Sequence, residues 1–256
     1  MNYINVQSIN CLKCGAGINS SGKDKERCTY CGTEIFIVKP IKIGLITNSE
    51  LNDAENKSLK AIISIMENSM LAGNYKEAYD YCNKALEIAP TQGDIWENKA
   101  IASFMIRSDF NVWLTNARET ITYLNTAETY NPDSKSIKET KKDIAWNIYY
   151  LASNYYNDVR PINGKQYSNS SLNTMFECIK MIDITFALHQ DNYFLKMGLN
   201  QLKGVNKAKV NWSLKNLKKQ FPVDAMVDSM VNRIKKTEPN FIAPERTFFQ
   251  NLFGLE

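Results

Sequence analysis

GNYKEAYDYCNKALEIAP, residues 73–90, decides how most of the chain is read. Tyr75, Ala78, Cys82, Ala85 and Leu86 recur at helical spacing and share one face. Gly73-Asn74 stands before the segment and Pro90 closes it, so both ends carry helix-breaking residues. Upstream, Leu59, Ile62, Ile63, Met66 and Met70 follow i, i+3, i+4, i+7, i+11, the stripe of a preceding helix that ends at the same glycine. Downstream, Gly93 opens the next segment, with Trp96 early in it and Ala100 a turn later. NTAETYNP, residues 125–132, then repeats the earlier ending, with Ala127 and Pro132 in the places of Ala85 and Pro90.

These positions resemble a tetratricopeptide repeat (TPR). In that family a turn glycine precedes an aromatic, small alanines let paired helices approach, and a proline ends the unit. Gly73, Tyr75, Ala78, Ala85 and Pro90 match, while Cys82 stands where an aromatic is usual. Pro90 and Pro132 are 42 residues apart, against a family period of 34. The second unit therefore carries about eight extra residues, expected near Arg107–Asn116. A third pair is expected to start at Ser134 and run through WNIYYLASNYY, 146–156. The resemblance implies a mainly α protein, a TPR-like α-solenoid of antiparallel helix pairs over 57–158. It implies a concave surface for a protein or peptide partner, with Asn74, Asn98 and Lys99 as candidate groove residues.

The N-terminal residues carry different chemistry. Cys11, Cys14, Cys28 and Cys31 read C-x2-C, thirteen residues, C-x2-C, and each pair runs into glycine (CLKCG and CTYCG). Four thiolates at this spacing can close a tetrahedral zinc site. The glycine after each second cysteine suits a turn that needs positive φ. The spacer GAGINSSGKDKER suits a hairpin or loop, and the flanking Tyr3–Val6 and Glu34–Val38 have the composition of strands. Forty residues bury too little apolar surface to fold unaided, so the metal must contribute stability. Residues 1–40 resemble a small β zinc ribbon holding one structural Zn2+. Four thiolates leave no open coordination position, which argues against a catalytic zinc. Two pairs without a following βαβ pattern argue against a redox C-x-x-C. Residues 41–56 are expected to be a linker, or an extra strand followed by linker.

Beyond the polar loop 159–171, a C-terminal helical extension is expected over 170–256. Leu172, Met175, Phe176, Ile179 and Ile182 form one stripe, Val210, Leu214, Leu217 and Phe221 a second, and Val223, Met226, Val227, Met230 and Ile234 a third. The formal net charge of +4 conceals segregation, with residues 46–160 at −4 and 196–256 at +6. Leu195–Val223 holds seven lysines and no acid. Lys203, Lys207, Trp212 and Lys218 are therefore candidate nucleic-acid contacts, since lysines neutralise phosphates and an aromatic can stack on a base. The competing reading is a solvated helix face, because the five lysines from 207 onward spread over more than half of the wheel. The apolar tail after Pro244, with Phe248, Phe249, Leu252 and Phe253, is expected to cap the stack or to dock on a partner or a second copy.

Cys82 and Cys178 fall on apolar stripes and read as small core residues, and His189 is the single histidine. No phosphate loop, dinucleotide fingerprint or H-E-x-x-H motif is present. No stretch reaches the ~18 apolar residues of a membrane helix, and no secretory pattern opens the chain. Together these features lead to the expectation of a non-catalytic cytoplasmic adaptor or scaffold without membrane contact. An RNA- or DNA-binding protein and a regulatory subunit of an enzyme complex are the alternatives.

Overall fold

A computed structural model of the protein describes residues 3–4, 10–11, 13–18, 23–42, 53–106, 108–159, 168–206 and 223–242. Among these the chain is mainly helical. The strands are β1 (Tyr3–Ile4), β2 (Lys25–Arg27), β3 (Glu34–Phe36) and β4 (Ile41–Lys42). The helices are α1 (Asp53–Leu71), α2 (Tyr75–Ile88), α3 (Gly93–Met105), α4 (Phe110–Tyr130), α5 (Lys135–Val159), α6 (Asn169–Leu188), α7 (Asn192–Asn206) and α8 (Val223–Thr237). The chain divides into two compact units, Met1–Gln7 with Val38–Asn147 and Ser8–Ile37 with Ile148–Glu256.

In the first unit, β1 and β4 pair antiparallel, with Tyr3 opposite Lys42 and Ile4 opposite Ile41. Helices α1 to α4 pack in chain order, α1 on α2, α2 on α3 and α3 on α4. The repeated apolar stripes explain this order. Leu59, Ile63 and Met66 of α1 meet Cys82, Ala85 and Leu86 of α2, and Ile95 of α3 completes the cluster. Gly73, at φ +77°, takes a conformation that side chains rarely adopt and ends the first helix.

Helices α3 and α4 run antiparallel. The Asn131, Thr120 and Asn116 side chains of α4 and its C-cap reach Asp94, Ala100 and Ile106 in turn. Gly93 lets them approach tightly, since a Cβ there would stand 2.8 Å from the Ala127 carbonyl oxygen and 2.9 Å from the Asn131 Cβ. Trp96 fixes the turn before α3 by donating its indole N–H to the Pro90 carbonyl at 2.8 Å. Helix α4 begins at Phe110 and is capped by Asp109. That carboxylate accepts from the Asn111 and Val112 N–H groups, which, with Val112 first, hold it below the usual range.

A helix pair is not formed within 134–156. Lys135–Val159 is one continuous helix of 25 residues, and no glycine or proline interrupts its sequence. Within the first unit, the Asn147 side chain of α5 bonds the Lys39 main chain, accepting from its N–H at 2.7 Å and donating to its carbonyl at 3.1 Å. Lys141 binds Glu128 at 2.7 Å, joining α5 to α4.

In the second unit, β2 and β3 form an antiparallel hairpin, with Glu26 opposite Ile35. The end of the cysteine spacer is thus a strand. Its residues, Lys25-Glu26-Arg27, have poor strand propensity and are held by their neighbour. Helix α6 packs on α7, and α7 on α8. Leu172, Met175, Phe176, Ile179 and Ile182 are all buried, as are Val227, Met230 and Ile234. Arg233 of α8 forms an ion pair with Asp183 of α6. Tyr149 of α5 meets Tyr193 and Phe194 of α7, and Tyr156 donates to the Gln201 carbonyl at 2.6 Å. The stripe at 210–221 lies outside the described residues. No described helix is long and apolar enough to cross a membrane.

Candidate metal centre

The four N-terminal cysteines converge. Their sulfur atoms all lie within 4.8 Å of one another, a geometry that could hold a metal ion. Cys11 Sγ is 3.5 Å from Cys31 Sγ, and Cys14 Sγ is 3.5 Å from Cys28 Sγ. A tetrahedron with metal–sulfur bonds near 2.3 Å has edges of about 3.8 Å, so the donor set fits.

The local sequence builds this arrangement twice. In the first knuckle the Cys11 N–H donates to the Ala16 carbonyl, and the Gly15 N–H donates to the Cys11 carbonyl. In the second, Cys28 N–H donates to Thr33 and Gly32 N–H to Cys28, the same pattern. Gly15 and Gly32 both have positive φ, +74° and +71°, which is why glycine follows each second cysteine. Cys11, Cys28 and Ile35 form a small buried cluster, with Ala16, Ile18, Cys31 and Ile37 packed against it. Cys14 is exposed, so one side of the sulfur cluster faces solvent.

Electrostatics divides the thiols. The side-chain hydroxyl and backbone N–H of Thr33 hold Cys31 down to about 6, and the hydroxyl lies 3.2 Å from its sulfur. At Cys14 the Ala16 N–H pulls downward, but desolvation and three neighbouring thiols carry the group up to about 12. Desolvation also raises Cys11. A cation among the four sulfurs would favour every thiolate at once.

β3 serves the cysteine cluster and the helices of the same unit together. Ile35 and Ile37 lie with the cysteines, and Phe36 packs edge-on against Tyr149 and stacks with Tyr150, at 5.4 and 5.8 Å between centroids. This is the alternation of a strand, here with both faces used.

Burial pushes the Cys82 thiol up to about 12 and the Cys178 thiol upward, as for inert core residues. His189 caps the end of α6 and meets Phe194 edge-on. Asn98, expected on a groove, is buried instead, and its amide donates to the Asp94 carbonyl at 2.8 Å. Helix α3 packs on both α2 and α4, so most of its side chains, Asn98 included, are buried. Asn74 is exposed and bonds Glu77 at 2.8 Å, and Lys99 is half-buried among aromatic rings. Lys203 lies in α7 with its side chain outside the described residues. Lys207, Trp212, Lys218, Phe248, Phe249, Leu252 and Phe253 also lie outside them. Lys196, the first of the seven lysines, pairs with Glu238 at 2.7 Å.

Sequence reasoning missed Glu97. The residue is 1% exposed, and its carboxylate accepts from the hydroxyls of Thr140 at 2.5 Å and Ser136 at 2.9 Å. Only its interruption of the apolar pattern of α3 hinted at burial. No family model matches the chain, and none of the curated proteins or solved structures compared with it is similar.

Proposed function

We propose that this chain is a non-catalytic adaptor whose TPR-like stack of α1–α4 binds a protein or peptide partner, with one structural zinc ion held by Cys11, Cys14, Cys28 and Cys31. The observation that carries the reading is the packing of α1 to α4 in chain order, with glycine at the tight α3–α4 crossing. Such quasi-linear stacks expose long helical faces to partners. Ile65 and Leu71 stand out on α1, 41% and 53% exposed, as apolar side chains available to a partner. An all-sulfur donor set favours a soft or borderline metal over calcium or magnesium, and zinc in a closed site supplies stability without chemistry. The supporting cluster of Ile35 with the buried cysteines fits that structural role.

Full-length protein, immobilised and exposed to nuclease-treated extract of its source, is expected to retain a defined partner. A variant carrying Ile65→Glu and Leu71→Glu is expected to lose it while keeping its metal. Capture that disappears with nuclease favours the nucleic-acid alternative and contradicts the adaptor reading.

A further inference from the structure

Lys99 occupies a setting that an ordinary surface lysine does not. It projects from α3 among rings from three helices. Its ammonium lies 4.5 Å from the Tyr123 ring centroid, 4.8 Å from Trp96 and 5.3 Å from Tyr79. All three are within cation–π range. The rings also touch one another, with centroids 5.8 Å apart for Trp96 and Tyr123 and 6.3 Å for Tyr79 and Tyr123.

The chemistry of this cluster is incomplete. Among the described residues, Lys99 makes no ion pair or hydrogen bond, so its three N–H donors meet only ring faces or solvent. Burial lowers its pKa, with Cys82 and Glu119 pulling the other way. The phenol oxygens of Tyr79 and Tyr123 are 2.9 Å apart, which uses one of their two protons. The other has only Glu119 within reach, at 3.5 Å from the Tyr123 oxygen, the edge of hydrogen-bond geometry. Burial pushes the Tyr123 phenol up, so it stays a donor. A partly desolvated ammonium in no direct ion pair, which the Glu119 carboxylate acts on only from beyond contact, thus sits beside a phenol whose bond to Glu119 is long.

We propose that Lys99, Tyr79, Tyr123 and Trp96 form a carboxylate-binding site, and that its ligand is an acidic segment of a peptide or protein. A carboxylate would take charge-assisted hydrogen bonds from the ammonium and a phenol, with its carbon chain lying on the indole. The cage already holds this chain's own cation, so a second cation would have to expel it. A single ammonium with a neutral donor suits a monoanion. The identity of the ligand as part of a partner rests on the adaptor reading, whereas the carboxylate site itself does not.

The test uses full-length, metal-loaded protein titrated with three probes: a capped oligoglutamate amide, the same peptide with a free C-terminal carboxylate, and a capped oligoglutamine. NMR of the Trp96 indole N–H reports occupancy. Oligoglutamate is expected to move that signal and oligoglutamine to leave it in place. A gain of affinity on freeing the C-terminus assigns the site to chain ends, and equal affinity assigns it to acidic side chains. Lys99→Gln is expected to weaken binding about tenfold, the loss of one hydrogen bond to a charged group. If that variant disturbs packing, Tyr79→Phe with Tyr123→Phe removes both hydroxyls, keeps both rings, and is expected to weaken binding severalfold. Absence of oligoglutamate binding, or binding unchanged in these variants, overturns the proposal. Partner capture surviving such a failure leaves the adaptor reading standing. Carboxylate binding without any partner capture separates the two in the opposite direction.

Discussion

The Asn154 side chain forms both main-chain hydrogen bonds of Phe36, accepting from its N–H at 2.7 Å and donating to its carbonyl at 2.8 Å. A helix side chain here takes the place that a neighbouring strand would fill, satisfying an edge that would otherwise stay open. It also fixes the strand that packs against the cysteines, since Ile35 and Ile37 flank Phe36.

Asn154→Ala is therefore expected to cost about 1–3 kcal/mol, because it leaves two main-chain groups of a buried residue unpaired. Denaturant unfolding of the metal-loaded protein measures it. A loss of under about 0.5 kcal/mol, the range of ordinary surface substitutions, would show that water replaces the amide without cost.

Gly93→Ala is expected to destabilise the first unit by about 1–3 kcal/mol. The added methyl would meet backbone, the Ala127 carbonyl at 2.8 Å, and not a flexible side-chain end. Thermal unfolding checks this, and an unchanged midpoint would mean that α3 and α4 separate easily.

Glu97 contributes a pH-dependent component to the stability of the same unit. Desolvation raises its pKa from 4.5, against the opposing hydrogen bonds of Thr140 and Ser136. A raised carboxyl contributes stability that is fully present below the unfolded pKa and is lost as pH rises through the folded one. The Glu97 contribution to stability should therefore fall as pH rises from about 4.5. Glu97→Gln, whose amide oxygen can still accept from both hydroxyls, should remove that component. Parallel stability curves for the two proteins would refute it.

Much of the first unit could be read from the chain because its signals are local. The stripes of α1 and α2 and the Gly73 turn, like the doubled cysteine-glycine knuckles of the second unit, each depend on residues within a few positions of one another. What escaped depends on contacts distant in sequence. β2 is the exception, a charged segment made a strand by a partner, β3, that lies close by in the chain. Lys99 lies 20 and 24 residues from Tyr79 and Tyr123, and no periodicity brings these three together. Asn147 and Asn154 look like ordinary polar residues of a long helix until their main-chain partners, 108 and 118 residues away, are in place. The cysteine spacing points to the sulfur cluster, but the uneven acidities come from Thr33, which lowers Cys31, and from desolvation and neighbouring thiols, which raise Cys14 against the Ala16 N–H, and spacing alone shows neither.

Those acidities set the acid response of the metal site. Metal binding requires thiolates, so protons compete with the ion. Cys31, near 6, is deprotonated at neutral pH, whereas Cys14, near 12, must release its proton on binding. Affinity is expected to rise with pH through neutrality and to drop more steeply below about 6, where Cys31 also protonates. Competition against a chelator at several pH values reads this directly. A pH-independent affinity would contradict thiolate ligation.

X-ray absorption at the zinc edge of the full-length protein, purified with its native metal, reads the centre itself. One zinc per chain, surrounded by four sulfur neighbours at about 2.3 Å, is the predicted result. A different native metal, a mixed oxygen or nitrogen shell, or fewer than four sulfurs would contradict a closed structural site built by Cys11, Cys14, Cys28 and Cys31.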